Sequence, residues 1–113
     1  MVRNWAFIYC SPGFNAAEHT TVIDNGRCKV TMVGLDVHDR DACVAVSKDL
    51  VAKGCQMIEL CGGFGPLYIA KVKAATEYSI PVGSTFYGPE DRLSMLKITS
   101  GQIPKNEMHS SEI

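Results

Sequence analysis

Apolar residues in this chain come in short runs of two kinds, and the way the runs alternate predicts the fold. Residues 3–10, centred on Trp5-Ala6-Phe7-Ile8-Tyr9, are almost uninterrupted in apolar character. A run of that length without polar alternation predicts a strand covered on both faces, as in a parallel sheet. Ser11-Pro12-Gly13 breaks it. Asn15 then has the character of an N-cap, with Glu18 completing a capping box, so a short helix is expected, ending at Asn25-Gly26. Residues 28–34 alternate Cys28, Val30 and Met32 with Lys29 and Thr31, which predicts a second strand at or near a sheet edge. Asp36 can cap the next helix, which carries Ala42, Cys43, Val46 and Leu50 at helical spacing and ends at Gly54.

Residues 55–61 read as a third strand, mostly apolar, and a helix from Pro66 to about Tyr78 follows with Tyr68, Val72 and Ala75 on one stripe. Pro81 introduces a fourth strand, Val82 to Tyr87. Pro89 opens a last short helix, with Glu90 and Asp91 in its first turn and Lys97 in its last, as the helix dipole favours. Ser100-Gly101 ends that helix, which bounds a single domain over residues 1–104 and leaves 105–113 as a mobile tail.

Strands and helices thus alternate as βαβαβαβα, with no hairpin expected between strands. This predicts an α/β fold with a small open parallel sheet and right-handed crossovers. The most apolar strands, the first and third, belong in the centre. The expected order is therefore 2-1-3-4, a flavodoxin-like sheet short of its fifth strand. So small an open sheet invites association through an edge or a helix face, and a homo-oligomer is expected.

Parallel strands present their carboxyl ends on one side, and ligands of open α/β sheets bind there, where the winding direction reverses. In the order 2-1-3-4 that point lies between the first and third strands. Cys10-Ser11-Pro12-Gly13 leaves the first, and Cys61-Gly62-Gly63-Phe64-Gly65-Pro66 leaves the third. The glycine-rich loop 61–66 lets backbone approach a ligand closely, and the helix behind it offers free N–H groups to an anion. Cys10, Ser11, Gly13, Gly62, Gly63, Phe64 and Gly65 are accordingly the candidate ligand-binding residues. Cys61, at a helix N-terminus that favours thiolate, is a candidate nucleophile, with Glu59 or His38 as acid or base. Strand alternation puts Glu59 and Cys61 on one face, ~7 Å apart. A carboxylate among apolar residues in a central strand is costly unless paired or protonated. Each feature also has a plainer reading: glycines for a tight turn, Glu59 satisfied by loop N–H groups or by a subunit partner, Cys61 as packing, and His38 as a surface residue.

Composition narrows the classes. The chain has 113 residues, 46% of them hydrophobic and 20% charged, the profile of one globular domain. A formal net charge of −1 with scattered Lys and Arg offers no footprint for nucleic acid or an anionic membrane. No apolar run is long enough to span a bilayer, and the start enters a strand pattern at once, so no signal peptide is expected and a cytoplasmic location is the default. The five cysteines include no Cys-x-x-Cys, so no metal is expected and free thiols are. The glycine loop lacks the Lys-Ser/Thr of a nucleotide-binding P-loop and the third glycine of a dinucleotide fingerprint, so no nucleotide cofactor is expected either.

Trp5-Ala6-Phe7-Ile8, Val33-Gly34, Ile58-Glu59-Leu60-Cys61-Gly62-Gly63-Phe64-Gly65-Pro66 and Pro81-Val82-Gly83 together resemble a family of short, single-domain bacterial proteins of unknown function. The resemblance covers roughly residues 3–87 and implies a shared domain and central loop, with no activity attached. Three functions stay open: a protein binding a small anionic metabolite at loop 61–66, a thiol-dependent enzyme built on Cys61, and an oligomer-forming accessory protein.

Overall fold

In the computed structural model, which describes residues 1–100, the chain forms a mixed α/β fold with a five-stranded, mostly parallel sheet and three helices. The strands are β1 (Asn4–Cys10), β2 (Thr20–Asp24), β3 (Lys29–Leu35), β4 (Ile58–Leu60) and β5 (Val82–Ser84). Their order across the sheet is β2-β3-β1-β4-β5. Helix α1 (Ala42–Ala52) connects β3 to β4, and α2 (Gly65–Ala75) connects β4 to β5. A 3-10 turn at Pro89–Asp91 leads into α3 (Arg92–Thr99). The tail predicted over 105–113 lies outside the described residues.

The expected all-parallel sheet is corrected at one edge. The segment predicted as a short helix after Asn15 is β2, and it pairs antiparallel with β3. Asn15 does cap, its Oδ1 accepting from the Glu18 N–H at 2.9 Å, but only a single turn follows. Propagation fails because Thr20-Thr21-Val22-Ile23 is a run of β-branched residues, which lose rotamer freedom in a helix and suit a strand. Asn25-Gly26, read as a helix terminator, is instead the tip of a hairpin. Gly26 has φ +83°, and the Asn25 side chain accepts from the N–H groups of Arg27 and Cys28, each at 2.9 Å. The strand predicted at the sheet edge, now β3, therefore lies inside it.

Other boundaries shift for local reasons. Helix α1 starts at Ala42, not at Asp36, whose carboxylate instead accepts from the N–H of His38 and so closes a turn. The fourth predicted strand is paired only over Val82–Ser84.

Both long helices cover the same side of the sheet. The core there comprises Ala6, Ile8, Val33, Leu35, Cys43, Cys55, Ile58, Leu60, Phe64, Val72 and Val82. On the opposite side Trp5, Phe7 and Tyr9 of β1 and Val30 and Met32 of β3 are only half-buried, where a strand covered on both faces was expected. Tyr9 is capped at one end of this face by Phe14, whose ring packs edge-on to it at 5.7 Å. Gly34 permits that contact, since a Cβ there would meet the Phe14 ring at 2.6 Å. Helix α3 has no buried side chain, and Leu93 and Ile98 on it are exposed.

The core has a measurable signature in alkali. Burial pushes the thiol of Cys43, wholly inaccessible at the α1–sheet contact, up to about 11 from an ordinary 9.0, with the Asp41 charge adding to it. Burial likewise raises Cys55. The unfolded chain ionises these thiols first, so their contribution is complete below pH ~9 and is lost as pH rises towards ~11. For Cys43 this is worth roughly 2–3 kcal/mol. The Tm should fall across that window in thermal melts, and Cys43→Ala should make the fall shallower. Equal slopes for the two proteins would contradict the assignment.

Candidate functional site

The register of the central strands brings the two predicted loops together. β1 lies between β3 and β4 and pairs in parallel with both, with Ile8 opposite Leu60. β4 ends at Leu60 while β1 runs two residues past Ile8 to Cys10, so Cys61 and Cys10 come out of the sheet side by side. Their sulfurs are 3.7 Å apart, and the Cys10 backbone N–H donates to the Cys61 sulfur at 3.4 Å. The chain bends away after each thiol. On one side, the Ser11 N–H donates to the Leu35 carbonyl at 2.9 Å. On the other, the Phe64 N–H donates back to the Cys61 carbonyl at 3.1 Å, forming a turn directly before α2.

Two of the glycines are required by contact. A Cβ on Gly63 would sit 2.7 Å from the Cys10 sulfur and 3.5 Å from that of Cys61, so any side chain there displaces the thiol pair. A Cβ on Gly62 would press on the Thr85 carbonyl at 3.1 Å. The N–H groups of Gly62 and Gly63 have no acceptor among the described residues. Phe64 is buried and packs edge-on to Tyr68 at 5.7 Å, anchoring the loop to the core.

Cys10 and Cys61 have different surroundings. The Cys10 thiol is raised above its ordinary value of 9.0, first by burial and then by the neighbouring Cys61, both through its charge and through the sulfur–sulfur hydrogen bond. The Arg40 guanidinium, from the loop after β3, works in the opposite direction. Its Nε is buried and has no hydrogen-bond partner among the described residues. A cation with an idle donor thus stands beside the thiol pair. No motif in the sequence singled out Arg40; only its place after a strand that ends at the same edge could have suggested it.

The remaining predicted residues divide. Gly13 and His38 both donate backbone N–H groups to Asp36, each at 2.8 Å, which ties the loops after β1 and β3 together. These two bonds, that of His38 foremost, hold the Asp36 carboxyl below its ordinary value. The His38 residue itself is exposed. Glu59 does not join the thiols. It pairs in register with Phe7 and Gly83, between the buried Ile58 and Leu60, and so projects onto the face opposite the two long helices. It makes no ion pair among the described residues. No group of three or more metal-ligating side chains converges among them either.

Several grooves among the described residues lie away from the thiols. One of about 570 Å³ runs between α1 and the β2–β3 edge, lined by Ala16, Val22, Val33, Val46 and Leu50 among others. No helix among the described residues is long and apolar enough to cross a membrane.

If the loop glycine keeps the sulfurs in contact, Gly63→Val should separate them. The variant should also lose roughly 1–3 kcal/mol of stability from overpacking, read by urea unfolding. A variant as stable as the parent would show that the loop relaxes freely.

A family profile described as a family of unknown function (DUF6506) matches residues 3–100. No curated protein and no solved structure matches the chain.

Proposed function

The chain belongs to the DUF6506 family of unknown function, and we propose that it acts as a thiol-dependent protein exchanging with small disulfides through Cys61 and Cys10. The observation that carries this reading is the 3.7 Å separation of the two sulfurs. Cys61 is one residue out of register with Cys10, which on adjacent parallel strands puts the two Cα atoms ~5.8 Å apart, inside the ~4.4–6.8 Å range of disulfides. Ring closure therefore needs side-chain rotation and little backbone movement.

The roles follow from the surroundings. Cys61 receives an N–H at its sulfur and is the attacking group, while Cys10 holds its proton and acts second. In the first step the Cys61 thiolate attacks one sulfur of the small disulfide. That S–S bond breaks, a mixed disulfide forms, and the leaving thiolate takes up a proton. In the second step Cys10 gives up its proton and attacks the Cys61 sulfur. The mixed disulfide breaks, a second small thiol leaves, and the Cys10–Cys61 disulfide remains. Two protein thiols are oxidised and one small disulfide is reduced to two thiols. Arg40 favours substrates that carry carboxylates.

One observation favours a second reading, the binding of a small anion at the glycine loop. The idle N–H groups of Gly62 and Gly63 directly precede a helix N-terminus, and Gly63 lies against the Cys10 sulfur on which the Arg40 charge acts. An anionic disulfide would use the same donors, so the two readings share one locus.

Oxidised glutathione is a suitable probe, being a small disulfide with several carboxylates. Peptide mass spectrometry of the treated protein should find an internal Cys10–Cys61 disulfide. Cys10→Ser should stop at glutathione held on Cys61. Adducts spread over Cys28 and the buried thiols, or no reaction at Cys61, would overturn the proposal.

A further inference from the structure

The face of the sheet that no helix among the described residues covers is lined by large apolar side chains. Its centre is β1, which presents Trp5, Phe7 and Tyr9 in a line, with the rings of Phe7 and Tyr9 stacked 6.1 Å apart. Val30 and Met32 lie opposite Trp5 and Phe7 on β3, and Ile23, 58% exposed, lies opposite Val30 on β2. Glu59 lies opposite Phe7 on β4. Alternation along β1 carries Arg3 onto the same face, and the Arg3 carbonyl, accepting from Lys29 at 2.8 Å, continues the ladder that far. Aromatic residues, Met and Arg in this arrangement have the composition of the desolvated centre of a protein interface.

We infer that this face is a homodimer interface, in which the sheets of two copies of the chain pack face to face about a two-fold axis. Charge placement argues for a second copy over any other partner. Arg3 stands beyond the Trp5 end of the aromatic line and Glu59 is level with its middle ring, Phe7, four residues apart in the register of β1 and equally spaced on either side of Trp5. A two-fold axis lying in the interface and crossing the strands at the level of Trp5 exchanges those two levels. Each Arg3 then meets Glu59 of the other copy, and the two Trp5 rings meet at the axis. Self-complementarity of this kind is what an isologous contact requires.

Area sets the strength. With each strand residue covering ~4.8 by ~3.3 Å, the strands have a footprint of about 400 Å² in plan, and the corrugation of large side chains enlarges it. Two such faces together bury roughly 1,000 Å², the lower bound for a specific interface, so the dimer is expected to be weak, on the order of micromolar. The same contact removes the isolation of Glu59, whose carboxylate gains a guanidinium as it leaves water.

Sedimentation equilibrium and the fluorescence of Trp5, the single tryptophan, test this on the whole chain. The mass should rise from 12.3 kDa to twice that value over the micromolar range, with a blue shift of the emission along the same curve. Glu59→Arg should weaken association at least tenfold by setting like charges opposite, and Arg3→Glu in the same chain should restore it. Phe7→Glu, with retention of native circular dichroism checked, should give a monomer. A wild-type chain that stays monomeric at tens of micromolar would overturn the inference. So would a dimer indifferent to Glu59→Arg, or one that the double exchange fails to rescue.

Discussion

Parallel pairing of β1 on both its edges is the constraint from which the rest of the molecule follows. Ala6 and Ile8 are wholly inaccessible and sit between Val33 on one side and Ile58 and Leu60 on the other. Burial of that order contributes ~1.5–3 kcal/mol for each large aliphatic side chain, so a shift of register would be expensive. The register thus held sets Leu60 beside Ile8, so that Cys61, just past the end of β4, emerges next to Cys10 at the end of β1. The connections β3-α1-β4 and β4-α2-β5 both run in the same direction across the sheet. Right-handed crossovers then place both helices on one side, and no helix among the described residues covers the aromatic side of β1.

Much of this was legible in the sequence. The apolar run Trp5–Tyr9 marks the central strand, Gly54 ends α1, and Pro66 opens α2 within its first turn. The loops at 10–13 and 61–65 stand out by their glycines and thiols. What was not legible has particular causes. Asn15 and Glu18 carry a sound capping signal, and the structure uses its first half; the four β-branched residues after it decide against helix. Asn25-Gly26 suits a helix end as well as a hairpin tip, and only the antiparallel partner β3 separates the two. The even apolar character of β1 says that both faces want cover without saying which face this chain covers itself.

The site was legible in part, and for the same kind of reason. Strand alternation groups Glu59 with Cys61, but alternation lapses where a strand ends. Cys61 lies one residue past β4, and its sulfur turns to Cys10. Arg40 carries no motif and reaches the thiols because β3 ends beside β1. Gly63 is understood only from the space it leaves, which no local pattern encodes.

The meeting of Cys10 and Cys61 is most directly tested by dibromobimane, a short reagent that fluoresces once both its arms have bound thiols. The folded protein should bridge Cys10 to Cys61, as located by peptide mapping, and Cys10→Ser should abolish the signal while Cys28→Ser leaves it intact. Bridging of any other pair in the folded chain, or single attachment at Cys61 with no bridge, would contradict the account.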